Sequence, residues 1–204
     1  MGIPAGMGVD FFGWLKDATE RRWAERASFR FPRHTCWRHG LDGAQIRAFE
    51  SVLGYEFPAE LRSMLWVMSG TRSPSGQQVL QTAKVAGRAE HFYGFPRDYA
   101  LMRSRVVEAC EGYEVHPAEL SARAIPRIHP LVGHRFLVVD GESRPVLSIY
   151  GRDAIVCGAS LRSYLLQELL AEADPEGPLF PRVPFWLDDT EYRAAAHRAS
   201  SQGT

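Results

Sequence analysis

The sequence predicts an α+β fold, in which an antiparallel or mixed β-sheet packs with helices, together with an N-terminal helix and an extended C-terminal tail. In the first part of the chain, apolar residues recur at helical spacing between capping residues. Further on, short runs rich in β-branched and aromatic residues alternate with turn residues. Because tight turns separate these runs, they predict an antiparallel meander.

The first predicted helix covers residues 10–27, with Asp10 as its N-cap. Its apolar residues fall on one face at helical spacing and include Trp14. We favour an additional helix that packs on the domain. The alternative is a partner-binding arm anchored by Trp14 and Trp23, since tryptophan is enriched in binding hot spots.

Residues 37–71 predict two helices joined by a short, stiff turn. Asp42 is suited to begin the first helix in a capping box, and Gly54 to end it in the left-handed conformation. Pro58 suits the first turn of the second helix, and Gly70 its end. The two apolar stripes consist of Ile46, Phe49, Leu53, Leu61, Met64, Leu65 and Met68.

Later segments supply a sheet and two further helices. One helix is predicted to open at Pro96 and end at Gly112, and a closing helix is capped by Ser160. The pattern also allows a short strand at residues 77–80 and a final short helix at residues 190–199. The predicted strands of the sheet are residues 123–129, 135–139, 144–150 and 153–157, and three adjacent strands among them imply the meander.

Composition and charge argue against several classes of function. Lys plus Arg and Asp plus Glu number 24 each, so the formal net charge is zero. A nucleic-acid or anionic-membrane surface needs clustered positive charge, and a short basic connector at residues 28–38 supplies little of it. No apolar run reaches membrane-spanning length, and three scattered Cys make no disulfide framework. We therefore expect a reduced, cytoplasmic protein without a cofactor.

Two groups of residues are candidates for metal binding and catalysis. The segment HTCWRH holds His34, Cys36 and His39, which is half the spacing of a zinc site, but no second pair follows at useful spacing. Nucleophilic catalysis needs a Cys or Ser beside a base. His134 and Asp140 flank a predicted strand, and nothing in the sequence places a nucleophile beside them. The sequence therefore predicts neither a metal site nor a catalytic set.

The helical pair also carries a recognisable pattern of motif positions. These positions are Trp37, Gly40, Leu41, Ile46, Phe49, Glu50, Leu53, Gly54, Phe57, Pro58, Leu61, Leu65, Ser69 and Gly70. Together they resemble the opening of the SUKH superfamily, the Smi/Knr-like proteins. Residues 124–128 are similar to that family's Ile-Pro strand, residues 135–150 to its central hairpin, and residues 160–169 to its closing helix.

The resemblance and the change in composition divide the chain into three parts. They are an N-terminal helical extension and connector at residues 1–36, a SUKH-like domain at residues 37–172, and a Pro-rich tail at residues 173–204. The tail contains several large apolar residues, and their exposure to water would be unfavourable. We therefore predict that the tail packs back onto the domain. These residues are Phe180, Val183, Phe185 and Trp186.

The resemblance implies a non-enzymatic binding role. Bacterial members of the family are largely regarded as immunity proteins that bind and neutralise toxins, and fungal members as regulatory scaffolds. We therefore expect a bacterial immunity protein whose partner is a toxin domain. Two alternatives stay open, a regulatory adaptor for an endogenous partner and a small hydrolase or metal enzyme.

The motif positions are interpreted as structural. Glu50 is expected to bond backbone at the helix junction or to face solvent, and Trp66 to be core or near-core together with Trp37. The structural positions are Trp37, Glu50, Gly54, Pro58 and Gly70. The expected partner surface combines aromatic and Arg residues at strand ends and loops, the residue types that dominate hot spots. It comprises Tyr93, Phe95, Arg97, Tyr150, Arg152 and Asp153.

Overall fold

The computed structural model has an α+β fold, which confirms the predicted fold class. It describes residues 2–28, 31–72, 91–174 and 183–187. Those residues contain five α-helices and two antiparallel sheets, one of two strands and one of four. The strand considered at residues 77–80, the helix at residues 190–199 and Phe180 lie outside the described ranges.

The chain divides into two compact units, the first and the second unit. The first unit is Met1–Arg103 with Leu131–Gly133, and the second is Ser104–Pro130 with His134–Thr204. In the described residues no helix is long and apolar enough to cross a membrane.

The first unit is mainly helical. Its elements are α1 (Val9–Glu25), β1 (Cys36–His39), α2 (Gly43–Leu53), α3 (Ala59–Val67) and β2 (Met68–Arg72). Strands β1 and β2 pair antiparallel, with Trp37 opposite Thr71. An isolated antiparallel bridge between Phe92 and Val132 completes the backbone pairing described for this unit.

Helix α1 is packed into the first unit, as the favoured interpretation predicted. Trp23 is completely buried, so its side chain is not available as an anchor for a partner, whereas Trp14 is half-buried. The prediction that Asp10 caps this helix was wrong. Gly8 is the N-cap, because the first helical hydrogen bond runs from the Phe12 N–H to the Gly8 carbonyl at 3.3 Å.

Trp37 joins α1 to the short sheet and is buried, as predicted. Its indole Nε1 donates to Thr19 Oγ1 at 2.8 Å, and its backbone N–H donates to Glu20 Oε1 at 2.9 Å. Its ring centroid lies 5.8 Å from that of Trp23 and 4.9 Å from that of Phe92. The indole is thus both hydrogen-bonded and packed, which is the usual state of a buried tryptophan.

The first helix of the pair follows its sequence signals closely. Asp42 Oδ1 accepts from the Gln45 N–H at 2.8 Å and Gln45 Oε1 accepts from the Asp42 N–H at 2.9 Å, which is the predicted capping box. Gly54 ends α2 in the left-handed conformation, with φ of 77°. Pro58 is the N-cap of α3, one position before its predicted place in the first turn.

Gly70 does not end α3, and that prediction was wrong. The helix stops at Val67 because the following residues pair with β1 as strand β2. Gly70 lies inside that strand with φ of 72°, and a Cβ there would come within 2.8 Å of the Gly94 backbone. A backbone approach this close requires glycine.

Trp66 was expected in the core, and this too was wrong, since its side chain is 56% exposed. Leu61, Met64 and Leu65 form the buried stripe of α3. Trp66 lies four residues after Arg62 and therefore shares the polar face of the helix with it.

The second unit contains the four-stranded sheet, with the strand order β3-β4-β5-β6. Its strands and helices are β3 (Ile128–Val132), β4 (Arg135–Val138), β5 (Val146–Tyr150), β6 (Asp153–Gly158), α4 (Tyr99–Gly112) and α5 (Leu161–Leu165). The first residues of α4 and the last residues of β3 belong to the first unit. Helix α4 ends at Gly112 and Ser160 caps α5, both as predicted.

Two of the predicted strands begin later than expected. The strand predicted at residues 123–129 begins at Ile128, because residues 121–124 form a turn and Ala124 has φ of 51°. The strand predicted at residues 144–150 begins at Val146, after Pro145, whose carbonyl accepts from the Val138 N–H at 3.0 Å.

The core of the second unit includes part of the tail. Val183 and Trp186 are buried among the inward-facing residues of the sheet, so the described part of the tail packs against this core. Trp186 Nε1 donates to the Pro126 carbonyl at 2.7 Å, and the Tyr113 hydroxyl donates to the Trp186 carbonyl at 3.3 Å. These bonds fix the tail to the loop before β3 and to the end of α4.

Candidate functional site

The six residues predicted to form a partner surface fall into two groups of three, one in each unit. In the first unit, Tyr93 is buried and its hydroxyl donates to the Gly133 carbonyl at 3.0 Å. Phe95 is half-buried and stacks on Phe49 with 4.3 Å between ring centroids. Arg97 is the exposed member of this group. The segment is therefore largely used for packing.

The other three residues lie together on the hairpin between β5 and β6. Tyr150 pairs with Asp153, and Gly151 and Arg152 form the turn between them. Gly151 has φ of 59° while Arg152 has negative φ, which is the pattern of a type II′ hairpin turn. The predicted group of Tyr150, Arg152 and Asp153 is thus brought together by a tight turn.

The alternation of side chains leaves one face of this hairpin exposed near the turn, although Ser148 farther along the same face is buried. Leu147, Ile149, Ala154 and Val156 point into the core of the second unit. Tyr150, Asp153 and Ile155 occupy the opposite face, because Tyr150 pairs with Asp153 and Ser148 with Ile155. We call these three residues the hairpin patch. Tyr150 is 80% exposed and Ile155 is 54% exposed.

The hairpin patch is held on a braced support. The Arg152 guanidinium donates from Nε to the Gly112 carbonyl at 3.2 Å and forms an ion pair with Glu114. A Cβ at Gly112 would lie 2.2 Å from the Gly151 carbonyl oxygen, so the end of α4 and the turn touch backbone to backbone. Exposed ion pairs add little stability, and close packing therefore fixes the turn more than charge does.

Two further side chains border the hairpin patch. The His134 ring meets the Tyr150 ring edge to face, with 6.2 Å between centroids. Arg135 Nη1 donates to Ser148 Oγ at 2.7 Å. An exposed aromatic ring and an aliphatic side chain, bordered by polar groups, form the arrangement found at protein-binding hot spots. The arrangement offers an exposed apolar contact area bordered by polar groups.

Glu50, the acidic residue among the motif positions, has the structural role expected of it. Its Oε1 accepts from the Phe57 N–H at 2.7 Å and from Arg62 Nε at 2.8 Å. The carboxylate thereby links the end of α2 to the beginning of α3.

The residues weighed for catalysis are engaged elsewhere. Asp140 accepts from the Arg127 N–H at 2.8 Å and from its guanidinium at 2.7 and 2.6 Å. Burial alone would raise the pKa of Asp140, but these bonds and the charges of Arg127 and Arg144 outweigh it and hold the pKa below its ordinary value. Burial raises the pKa of the Cys110 thiol to about 11, so this sulfur is a protonated thiol at neutral pH.

The HTCWRH segment lies at the beginning of the short sheet. His34 and His39 are exposed, and the half-buried Cys36 accepts a hydrogen bond from Arg72 Nε at 3.1 Å. Across the residues that the structure describes, no three His, Cys, Asp or Glu side chains gather into a metal-ligand group.

Comparison with known proteins adds no relative. No protein-family model matches this chain, and no curated protein sequence matches it.

Sequence reasoning missed Ile155, although a signal for it was present. In the run DAIVC, the alternation of a strand assigns Ala154 and Val156 to one face and leaves Ile155 on the face of Asp153. When a large aliphatic residue lies on the same strand face as a charged residue, the pattern indicates that the aliphatic residue is exposed too.

Proposed function

We propose that this chain is a non-enzymatic binding protein, an intracellular immunity protein that holds and neutralises a cognate bacterial toxin domain. The observation that carries the proposal is the hairpin patch. Exposed apolar side chains of this size are sparse on the described surface, and here two lie on one face of one hairpin, Tyr150 and Ile155.

The resemblance of the motif positions to the SUKH superfamily supports the choice of a toxin as the partner. The braced turn supports binding without reorganisation, since a surface fixed before association loses less conformational entropy when it binds. Tyrosine is suited to this role because its ring gives a large contact area with few rotatable bonds.

The experiment begins with the purified full chain as bait in a lysate of its source organism, with mass spectrometry of the retained proteins. We expect one toxin-like protein, bound tightly and unable to kill when co-expressed with this chain. Retention of a housekeeping protein without toxicity would contradict the immunity proposal and favour a regulatory adaptor.

Substitution in the hairpin patch then tests the surface. Tyr150→Ala combined with Ile155→Ala should weaken toxin binding by about 30-fold or more, which corresponds to loss of about 2 kcal/mol at a hot spot. Val52→Ala is the matched control, because Val52 is also an exposed apolar residue, 49% exposed, and lies on α2. Equal toxin affinity of the double variant and the control would contradict this surface.

A further inference from the structure

The first unit contains a groove on the outer faces of α2 and α3, which we call the helix groove. It has a volume of about 500 Å³, within the range of ligand-binding clefts. Its lining includes Gly43, Ile46, Arg47, Glu50, Arg62 and Trp66. The α2 residues among these recur at intervals of three and four, so they form one continuous wall along that helix.

The apolar part of the helix groove is in contact with water. Trp66 is 56% exposed, and Val9, which lines the groove from the start of α1, is 49% exposed. Ile46 beneath them is buried. A Cβ at Gly43 would lie 3.8 Å from the Trp66 ring and 3.3 Å from Arg47 Nη1, so indole and guanidinium approach the same point of the α2 backbone.

Among the charged side chains that line the helix groove, positive charges outnumber negative ones. Glu50 is already used, since it accepts from the Phe57 N–H and from Arg62 Nε, and the Glu50 bond raises the pKa of Arg62. Arg62 Nη2 lies 3.8 Å from the exposed Glu56 carboxylate. Arg47 forms no hydrogen bond or ion pair with any residue the structure describes. Two guanidinium groups therefore face one buried, satisfied carboxylate.

We propose that the helix groove binds a short acidic peptide segment, with an apolar side chain against Trp66 and Ile46 and a carboxylate on Arg47. The choice follows from charge complementarity, since a guanidinium presents a planar fork that pairs with a carboxylate through two hydrogen bonds. The net charge of zero disfavours a nucleic-acid backbone as the occupant. This inference rests on the proposed binding function and identifies the kind of segment that the partner would contribute.

The test uses a phage-displayed library of short random peptides, selected on the purified full chain. Enriched peptides should carry Asp or Glu within a few positions of an aromatic or large aliphatic residue. Synthetic copies should quench or shift the fluorescence of Trp66 and should bind more weakly as salt is raised. Enrichment without acidic residues, or no enrichment, overturns the proposal.

Substitutions of groove residues test whether the peptides bind in the helix groove or on another surface. Arg47→Glu should weaken peptide binding by about tenfold or more without loss of fold, because this side chain forms no hydrogen bond or ion pair with the described residues. Arg47→Lys should retain part of the affinity, and Trp66→Ala should lose most of it. Tyr150→Ala lies outside the groove and should bind the peptides as the unchanged protein does. Peptide binding that is unaffected by Arg47→Glu and Trp66→Ala overturns the proposal.

The toxin assay distinguishes this inference from the proposed function. If Arg47→Glu and Trp66→Ala leave toxin affinity unchanged while the hairpin-patch variant loses it, the groove proposal fails and the proposed function stands. If the chain selects acidic peptides but captures no toxin, the proposed function fails and the ligand chemistry of the groove stands.

Discussion

His129 should make the stability of this protein fall on mild acidification. It lies in β3, is buried, and burial lowers its pKa from 6.5 to about 3. In the folded protein the imidazole is therefore neutral, whereas the unfolded chain takes up a proton below the ordinary pKa. Stability is thus fully present above pH 6.5 and is lost progressively as the pH falls towards about 3.

The size of this effect follows from proton linkage. Each unit of pH between the two pKa values costs about 1.4 kcal/mol, so acidification to about pH 5 should remove about 2 kcal/mol through this residue. Urea unfolding of the unchanged protein and of His129→Gln, at about pH 7.5 and about pH 5, measures it. Glutamine is the control because it hydrogen-bonds without titrating in this range.

Carboxylates titrate in both proteins, so the comparison rests on the difference between the two pH dependences. The variant should lose about 2 kcal/mol less than the unchanged protein over this interval, whatever its stability at neutral pH. Equal losses in the two proteins would refute the reasoning and would mean that the imidazole finds a partner for its proton in the folded state.

Substitutions at two positions, one in each unit, test contacts within that unit. Trp186→Phe removes the hydrogen bond to the Pro126 carbonyl and should lower the free energy of unfolding by about 1–3 kcal/mol, while Trp186→Ala should lower it by about 3–5 kcal/mol. Thermal unfolding measures both variants. An unchanged unfolding midpoint would mean that the tail does not contribute to stability. Glu50→Ala leaves the buried Phe57 N–H without its acceptor and should cost about 1–3 kcal/mol in urea unfolding, whereas Glu50→Gln, which keeps an acceptor oxygen, should cost less.

The first helix of the pair could be predicted almost to the residue because its signals are local. The capping box at Asp42 and the left-handed Gly54 depend on neighbours a few positions away in the chain. Gly70 was assigned wrongly for the opposite reason. Strand β2 forms because it pairs with β1 (Cys36–His39). Strand β1 lies before α2 and α3 in the chain, and its sequence alone indicates a connector. Pairing between distant segments is not visible in the periodicity of either one.

The candidate site was only partly predictable, since its members must share a surface. Tyr150 and Asp153 could be placed together because a tight turn joins their strands. Tyr93 belonged to the same residue class and the same kind of segment, yet it is buried with its hydroxyl bonded to Gly133. Residue type alone does not separate an aromatic side chain that binds a partner from one that fills a core.

The position of a residue relative to the buried stripe of its own element distinguishes partner-binding from core-filling side chains better than residue type does. In α3 the buried stripe contains Leu61 and Leu65, and Trp66 falls instead in register with Arg62. In β6, Ile155 falls in register with Asp153 rather than with the inward-facing residues. Both side chains are large and apolar at positions exposed to water, and both line a candidate binding surface. An apolar residue out of phase with the buried stripe of its own element is therefore a candidate for a binding surface, and substitution is what tests it.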